Sequence, residues 1–284
     1  VSTITDLRNG IAAALMDEPR RLAIVFYHVA QGAEQPFLRL QGPEAPDYST
    51  CIRVAVKAVK RIHPEALIVM MTDDATEIDT TLPMKIVRLP VKPEWLMYER
   101  TRCQLAFTQA YEAQAIHIDT DVILRKSFNT VLGWPVDFVL TDRFEIPGQH
   151  INGGMLICKS PRKFAHFLTD LLKMYDAIAL AAESWAPWDL HCFRGGQLSL
   201  ATLMFDKFYK REPHNPRKQP DPYHAHKTPW GIVGIAPAET INWTLDPNNV
   251  NQDALAWHLK GVRKMFLPML EAEITKTGAK FNAA

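Results

Sequence analysis

Apolar residues fall along the chain in two alternating rhythms, short β-branched runs and stretches with helical spacing. Arg21 to Val29 is a compact apolar run that predicts a buried first strand, followed by a Gly- and Pro-spaced loop from Gln31 to Pro46. From Ser49 to Ile62, the residues Ile52, Ala55, Val56 and Val59 recur at helical spacing, and Ala66 to Met71 returns to a buried strand. Lys85 to Leu89 predicts another strand. Cys103, Ala106, Phe107 and Ala110 then mark one face of a helix leading into a strand that ends at Asp119. Further strands are expected at Asp137 to Thr141 and Gly154 to Cys158, separated by a polar stretch holding Pro147, Gly148 and an Asn152-Gly153-Gly154 turn signal. Helical patterns follow at Pro161 to Ala182 and Gln197 to Phe208, with a Trp-rich loop around Trp185 and Trp188 between them. Arg211 to Pro229, dense in Pro, His and Lys, reads as a long loop on the acceptor side, a mobile lid or a disordered stretch. No internal repeat is visible.

Strand and helix alternate as in a mostly parallel sheet flanked by helices, in one α/β domain. Ligands of such sheets collect beyond the carboxyl ends of the strands. That is where Ala115-Ile116-His117-Ile118-Asp119-Thr120-Asp121 delivers two carboxylates one residue apart, after an otherwise apolar run. Ionised carboxylates are costly to desolvate, so Asp119 and Asp121 are read as ligands of a hard divalent cation, Mg²⁺ or Mn²⁺, that bridges to the phosphates of a nucleotide diphosphate. The plainer alternative is an Asp-capped turn at a strand end. A second cluster, His258-Leu259-Lys260-Gly261-Val262-Arg263-Lys264, pairs a metal-ligating imidazole with a glycine for close backbone approach and a lysine as a point charge. A packed surface histidine beside Trp257 is its alternative.

Composition narrows the classes. The 284 residues are 47% hydrophobic, and 32 basic against 31 acidic residues leave a net charge of +1, which provides no global field for nucleic acid. Cys51, Cys103, Cys158 and Cys192 form no Cys-x-x-Cys pair and read as reduced core thiols of a cytoplasmic protein. No apolar run approaches the roughly 20 residues that span a bilayer. Val262 to Ile274 alternates Met265, Phe266, Met269 and Leu270 with charge, which suits core packing or, alternatively, peripheral contact with a membrane surface.

In this order, the motifs resemble those of the retaining GT-A glycosyltransferases of the glycogenin and lipopolysaccharide galactosyltransferase group, glycosyltransferase family 8. Ile24-Val25-Phe26 looks like that family's first strand, and Asp47-Tyr48-Ser49 with the helix from Cys51 looks like its Asn-Tyr turn and first helix. Asp119-Thr120-Asp121 matches its Asp-x-Asp motif, Asn152-Gly153-Gly154-Met155 its Asn-x-Gly turn, and His258, Gly261 and Lys264 its closing His-x-x-Gly-x-x-Lys. The resemblance implies a single GT-A catalytic domain over residues 1–284. A nucleotide-sugar-binding half at about 20–160 would precede an acceptor side and a metal- and diphosphate-closing segment at about 161–284.

It implies further that Asp119, Asp121 and His258 hold Mn²⁺ or Mg²⁺ on a UDP-sugar, with Thr120, Gly261 and Lys264 at the diphosphate. Arg102, with Arg100 as its close competitor, resembles the arginine that contacts the donor; an exposed helix charge is the alternative. Asp142 and Asn152 resemble positions that hydrogen-bond the sugar hydroxyls, and Gln197 keeps an amide for the reacting face. The implied activity is transfer of a hexose, with retention, to a saccharide or glycolipid. Two departures stand out: Gly196 occupies the place of an aspartate, with Asp189 the nearest substitute, and Lys264-Met265-Phe266 replaces Lys-Pro-Trp. The loop from Val29 to Pro46 is also longer than the resemblance predicts. Three other readings compete. A nucleotidyltransferase is disfavoured by the single glycine after the first strand. A sugar-nucleotide-binding protein without turnover, or a plain α/β interaction protein, would use the same fold.

Overall fold

The computed structural model describes residues 2–30, 48–142, 151–181, 195–205, 222–244 and 251–276. Its frame is an eight-stranded sheet in the order β3-β2-β1-β4-β7-β6-β9-β8, formed by β1 (Ala23–Tyr27), β2 (Leu67–Thr72), β3 (Lys85–Arg88), β4 (Ala115–Ile118), β6 (Phe138–Asp142), β7 (Ile151–Cys158), β8 (His224–Thr228) and β9 (Gly231–Pro237). Pairing is parallel from β3 through β4 and between β6 and β9, and antiparallel where β7 and β8 join. The expected mostly parallel sheet flanked by helices is therefore observed, in one α/β domain.

Continuous burial along β1 and β2 follows from cover on both faces, which is why these strands read as unbroken apolar runs. One face is closed by α1 (Ile4–Ala14), α3 (Leu96–Tyr111), α5 (Pro161–Ala181) and α6 (Gly195–Phe205), around Tyr27, Phe107, Phe138, Phe164 and Phe167. On the other, α2 (Tyr48–Ile62), a short α4 (Asn129–Gly133) and α8 (Leu267–Lys276) enclose Ile24, Phe26, Met70, Ile116 and Phe128. There a second sheet, β10 (Trp243–Thr244), β11 (Ala256–His258) and β5 (Val122–Leu124), carries the chain back to the strand ends. A brief α7 (Ala238–Ile241) joins β9 to it.

The sequence pattern left several elements unassigned. Thr3 caps α1 in a reciprocal box with Asp6, and Leu7 and Ile11 seal it to the core. Residues 224–228, expected to continue a loop, form the edge strand β8 instead. Its exposed His, Ala and Lys positions hide the strand from a hydrophobic pattern, and Gly231, at φ +115°, turns it into β9. The part of that expected loop at 211–221, the last three residues of the helix expected at Gln197 to Phe208, and the Trp-rich loop lie outside the described residues. Asn152-Gly153-Gly154 is likewise no turn: it lies within β7, at an irregularity where the register against β6 jumps between Leu140 and Thr141. In the last segment Leu267 and Leu270 are buried while Met265 and Met269 are more than half exposed, so the leucines and not the methionines face the core. Cys51, Cys103 and Cys158 are buried free thiols, and Cys192 lies outside the described residues. No helix among the described residues is long and apolar enough to cross a membrane.

Candidate metal and diphosphate site

The site forms where the sheet changes direction, since β4 pairs in parallel with β1 on one side and antiparallel with β7 on the other. The backbone N–H of Asp119 donates to the carbonyl of Gly154 at 2.9 Å as the last rung of β4, and Val122 N–H donates to Asp119 O at 3.1 Å to close a tight turn into β5. Thr120, buried, occupies that turn. β5 then pairs antiparallel with β11, Val122 opposite His258, and Leu259 N–H donates to the carbonyl of Asp121 at 2.8 Å. Two backbone ladders thus bring residues distant in sequence to one point. Ligand atoms of Asp119, Asp121 and His258 lie within 4.8 Å of one another.

Charges around this triad are paired. The Asp121 carboxylate lies 3.2 Å from His258 Nε2 and 3.2 Å from Lys264 Nζ, and the guanidinium of Arg100 donates to Asp119. Lys264 is 2% exposed and stands on the short 3₁₀ segment Gly261–Phe266, its ammonium 4.9 Å from the centroid of the Tyr48 ring. Burial works against the charge on Asp121, but His258 and Lys264 outweigh it and hold the carboxyl well below its usual range. Burial also lowers His258, with Lys260 adding to the effect against the pull of Asp121. Burial works against the Lys264 ammonium too, but Asp121 outweighs it and raises the lysine above its usual range.

One imidazole beside two carboxylates offers an oxygen, oxygen, nitrogen donor set, which suits Mn²⁺ better than Mg²⁺ with its preference for oxygen ligands alone. Space for such a cluster exists because residue 154 is glycine. A Cβ there would stand 2.5 Å from His258 Cε1, 2.9 Å from Asp119 Oδ2 and 3.1 Å from Asn152 Oδ1. Gly153 plays the same part for Arg100, whose Nη2 would be 2.9 Å from an added Cβ. The residues present fit a divalent cation with anionic ligand oxygens beside it.

The remaining candidates are placed as follows. Arg102 is turned away from the triad: its guanidinium donates to both carboxylate oxygens of Glu99, at 2.8 and 2.7 Å, and to the carbonyl of Ser2. Arg100 is the one that reaches Asp119. Asp142 ends β6, buried, with Ile151 as its partner in β7 and Pro237 in β9. Asn152 is fully buried, its Oδ1 accepting from Gly154 N–H at 2.9 Å and its Nδ2 lying 3.4 Å from His258 Nδ1. Gln197 sits in the first turn of α6, the helix that brings Leu200 over Gly153. Gly196 lies beside Met97, and Gly261 opens the 3₁₀ segment. Asp189 is outside the described residues. The contribution of Gly154 to the pocket, and of Arg100 in preference to Arg102, could not be read from spacing alone, although the double glycine was the available signal.

No protein-family model matches the chain, and no curated protein matches it either. Among solved structures, a glycosyltransferase involved in glycosylation of the major capsid of PBCV-1 is similar at 14% identity and a TM-score of 0.48, over 88% of this chain and 99% of that one. Galactosyltransferase LgtC, in complex with donor and acceptor sugar analogs, is similar at 14% identity and a TM-score of 0.48, over 89% of this chain and 96% of that one. Glycosyltransferase GlyE of Streptococcus pneumoniae TIGR4 is similar at 13% identity and a TM-score of 0.44 over 66% of this chain, which spans only 44% of the GlyE chain.

Proposed function

We propose that this chain is a GT-A glycosyltransferase that moves a hexose from a UDP-sugar to a hydroxyl of a saccharide or glycolipid, with retention at the anomeric carbon. One observation carries the reading: Asp119, Asp121 and His258 converge within 4.8 Å, with Arg100 and Lys264 on the two carboxylates. A diphosphate leaving group needs such fixed positive charge where its own charge grows. Asp119, Asp121 and His258 would hold Mn²⁺ or Mg²⁺, which when bound supplies Lewis-acid neutralisation of the phosphate oxygens. Lys264 and Arg100 exchange their carboxylate partners for diphosphate oxygens, and Thr120 and the backbone at Gly261 line its approach. The family resemblance assigns Asp142 and Asn152 to the sugar hydroxyls and Gln197 to the reacting face; the Asn152 amide is taken up by Gly154 N–H and His258 Nδ1, which leaves Asp142 as the candidate for the sugar. Retention follows most directly if the departing phosphate accepts the acceptor's proton on the same face as the bond that breaks.

Incubation with UDP-hexoses and Mn²⁺, read as UDP release and product anomer by NMR, tests the proposal. Donor hydrolysis or transfer that is lost in Asp119→Ala supports it. The absence of both turnover and UDP-dependent thermal stabilisation would overturn it. A second reading, metal-dependent UDP binding without turnover, is favoured by Gly196, which leaves the start of α6 without a carboxylate at that position; binding with no UDP release or transfer selects it.

A further inference from the structure

Asn152 sits beneath His258 with its amide fixed at both ends. Its Oδ1 accepts from Gly154 N–H at 2.9 Å, while its Nδ2 approaches His258 Nδ1 at 3.4 Å. Both residues are buried, Asn152 at 0% and His258 at 3% exposure, so no solvent offers the ring another partner on that side. On the other side of the ring, Nε2 faces the Asp121 carboxylate at 3.2 Å.

We propose that Asn152 is a positioning residue that sets the tautomer of His258 and thereby limits the site's affinity for its cation. An amide whose oxygen is already taken by Gly154 can only donate to Nδ1, so Nδ1 stays an acceptor and the ring proton sits on Nε2, pointing at Asp121. That nitrogen is the one that faces the Asp121 carboxylate of the triad. A cation entering the triad needs the Nε2 lone pair, so one proton leaves Nε2 and one is taken up at Nδ1, with no net change in charge. The new Nδ1–H then meets an NH₂ group. Rotating the amide to offer its oxygen would in turn leave Gly154 N–H without an acceptor. One buried donor is thus unsatisfied in the cation-bound state whichever way the amide points. Metal-ligating histidines commonly place an acceptor, usually a carboxylate or carbonyl, behind the free nitrogen. Here a donor stands there, and the cation is held more loosely and exchanges more readily as a result.

This inference rests on the reading of Asp119, Asp121 and His258 as a cation site, and two measurements keep the two apart. In metal-free wild-type protein, ¹⁵N NMR of His258 should show the Nε2–H tautomer, and Asn152→Asp, whose second carboxylate oxygen accepts from the ring, should convert it to Nδ1–H. A wild-type Nδ1–H ring, or a tautomer unmoved in Asn152→Asp, would overturn the role of Asn152. Mn²⁺ titration followed by electron paramagnetic resonance should then find Asn152→Asp binding about tenfold more tightly than wild type. Equal or weaker Mn²⁺ binding by Asn152→Asp, with wild type binding measurably, would also refute it. Failure of wild type to bind Mn²⁺ would instead sink the cation site and the affinity claim, leaving the NMR result to decide the tautomer alone.

Discussion

Removing the Asp121 carboxylate should unfold the protein more readily than any loss of a surface charge, because the ammonium it balances is almost wholly enclosed. Lys264 Nζ is 3.2 Å from Asp121 Oδ2, and Lys264 is 2% exposed. With an effective dielectric of about 20, the attraction over that distance is about 5 kcal/mol, comparable to the several kcal/mol needed to strip water from an ammonium. Asp121→Leu therefore leaves a desolvated charge with no counter-charge, and the expected loss is about 3–5 kcal/mol. For a chain of 284 residues this corresponds to a fall in Tm of about 5–8 °C. The double substitution Asp121→Leu with Lys264→Met removes both charges and should recover most of the loss. Thermal unfolding of the wild type, both single variants and the double variant, in EDTA so that no cation contributes, closes the cycle. If Asp121→Leu costs less than about 1 kcal/mol, or the double variant is no more stable than it, the site is not organised around this ion pair.

Gly154→Ala forces a methyl group against His258, Asp119 and Asn152; it should cost about 1–3 kcal/mol and abolish Mn²⁺ binding, both read by thermal shift with and without the metal. Arg102→Met breaks the buried pair with Glu99 and should destabilise by about 3–5 kcal/mol while leaving Mn²⁺ binding intact, whereas Arg100→Met should weaken UDP binding in the presence of Mn²⁺. Hydrogen bonds from Arg53 and Lys57 bring the Glu271 carboxyl down to about 2. Because that pKa is depressed, its contribution to stability is complete above pH about 4.5 and disappears as the pH falls toward 2. Glu271→Gln should flatten that part of the acid unfolding curve, and an unchanged slope between pH 5 and 2.5 would contradict the pairing.

What the sequence made legible is what burial writes into it. β1, β2 and β4 lie inside the sheet with both faces covered, so their apolar runs were unmistakable, and the aspartates stood out because carboxylates had no place in such a run. α2 showed its face because its other side meets solvent. α3 hid its arginines for the opposite reason: Glu99 through Thr108 are all buried, so the helix has no polar face from which to tell Arg100 from Arg102. β8 lies at a sheet edge with mostly polar, exposed residues, and β5, β10 and β11 have only two or three residues each, too few to show a period. The fit of glycine against imidazole was beyond spacing as well, since it depends on a contact between β7 and β11 that only the folded chain makes.

The placement of His258 and Lys264 on β11 and the segment after it has a consequence during synthesis. The aspartates emerge from the ribosome with β4 and β5, well before the imidazole and ammonium that face Asp121. Until that last portion threads back alongside Val122, a half-made chain carries Asp121 at an open strand end without its two partners. Under the proposed function, a translation product that stops short of β11 would carry no complete cation site.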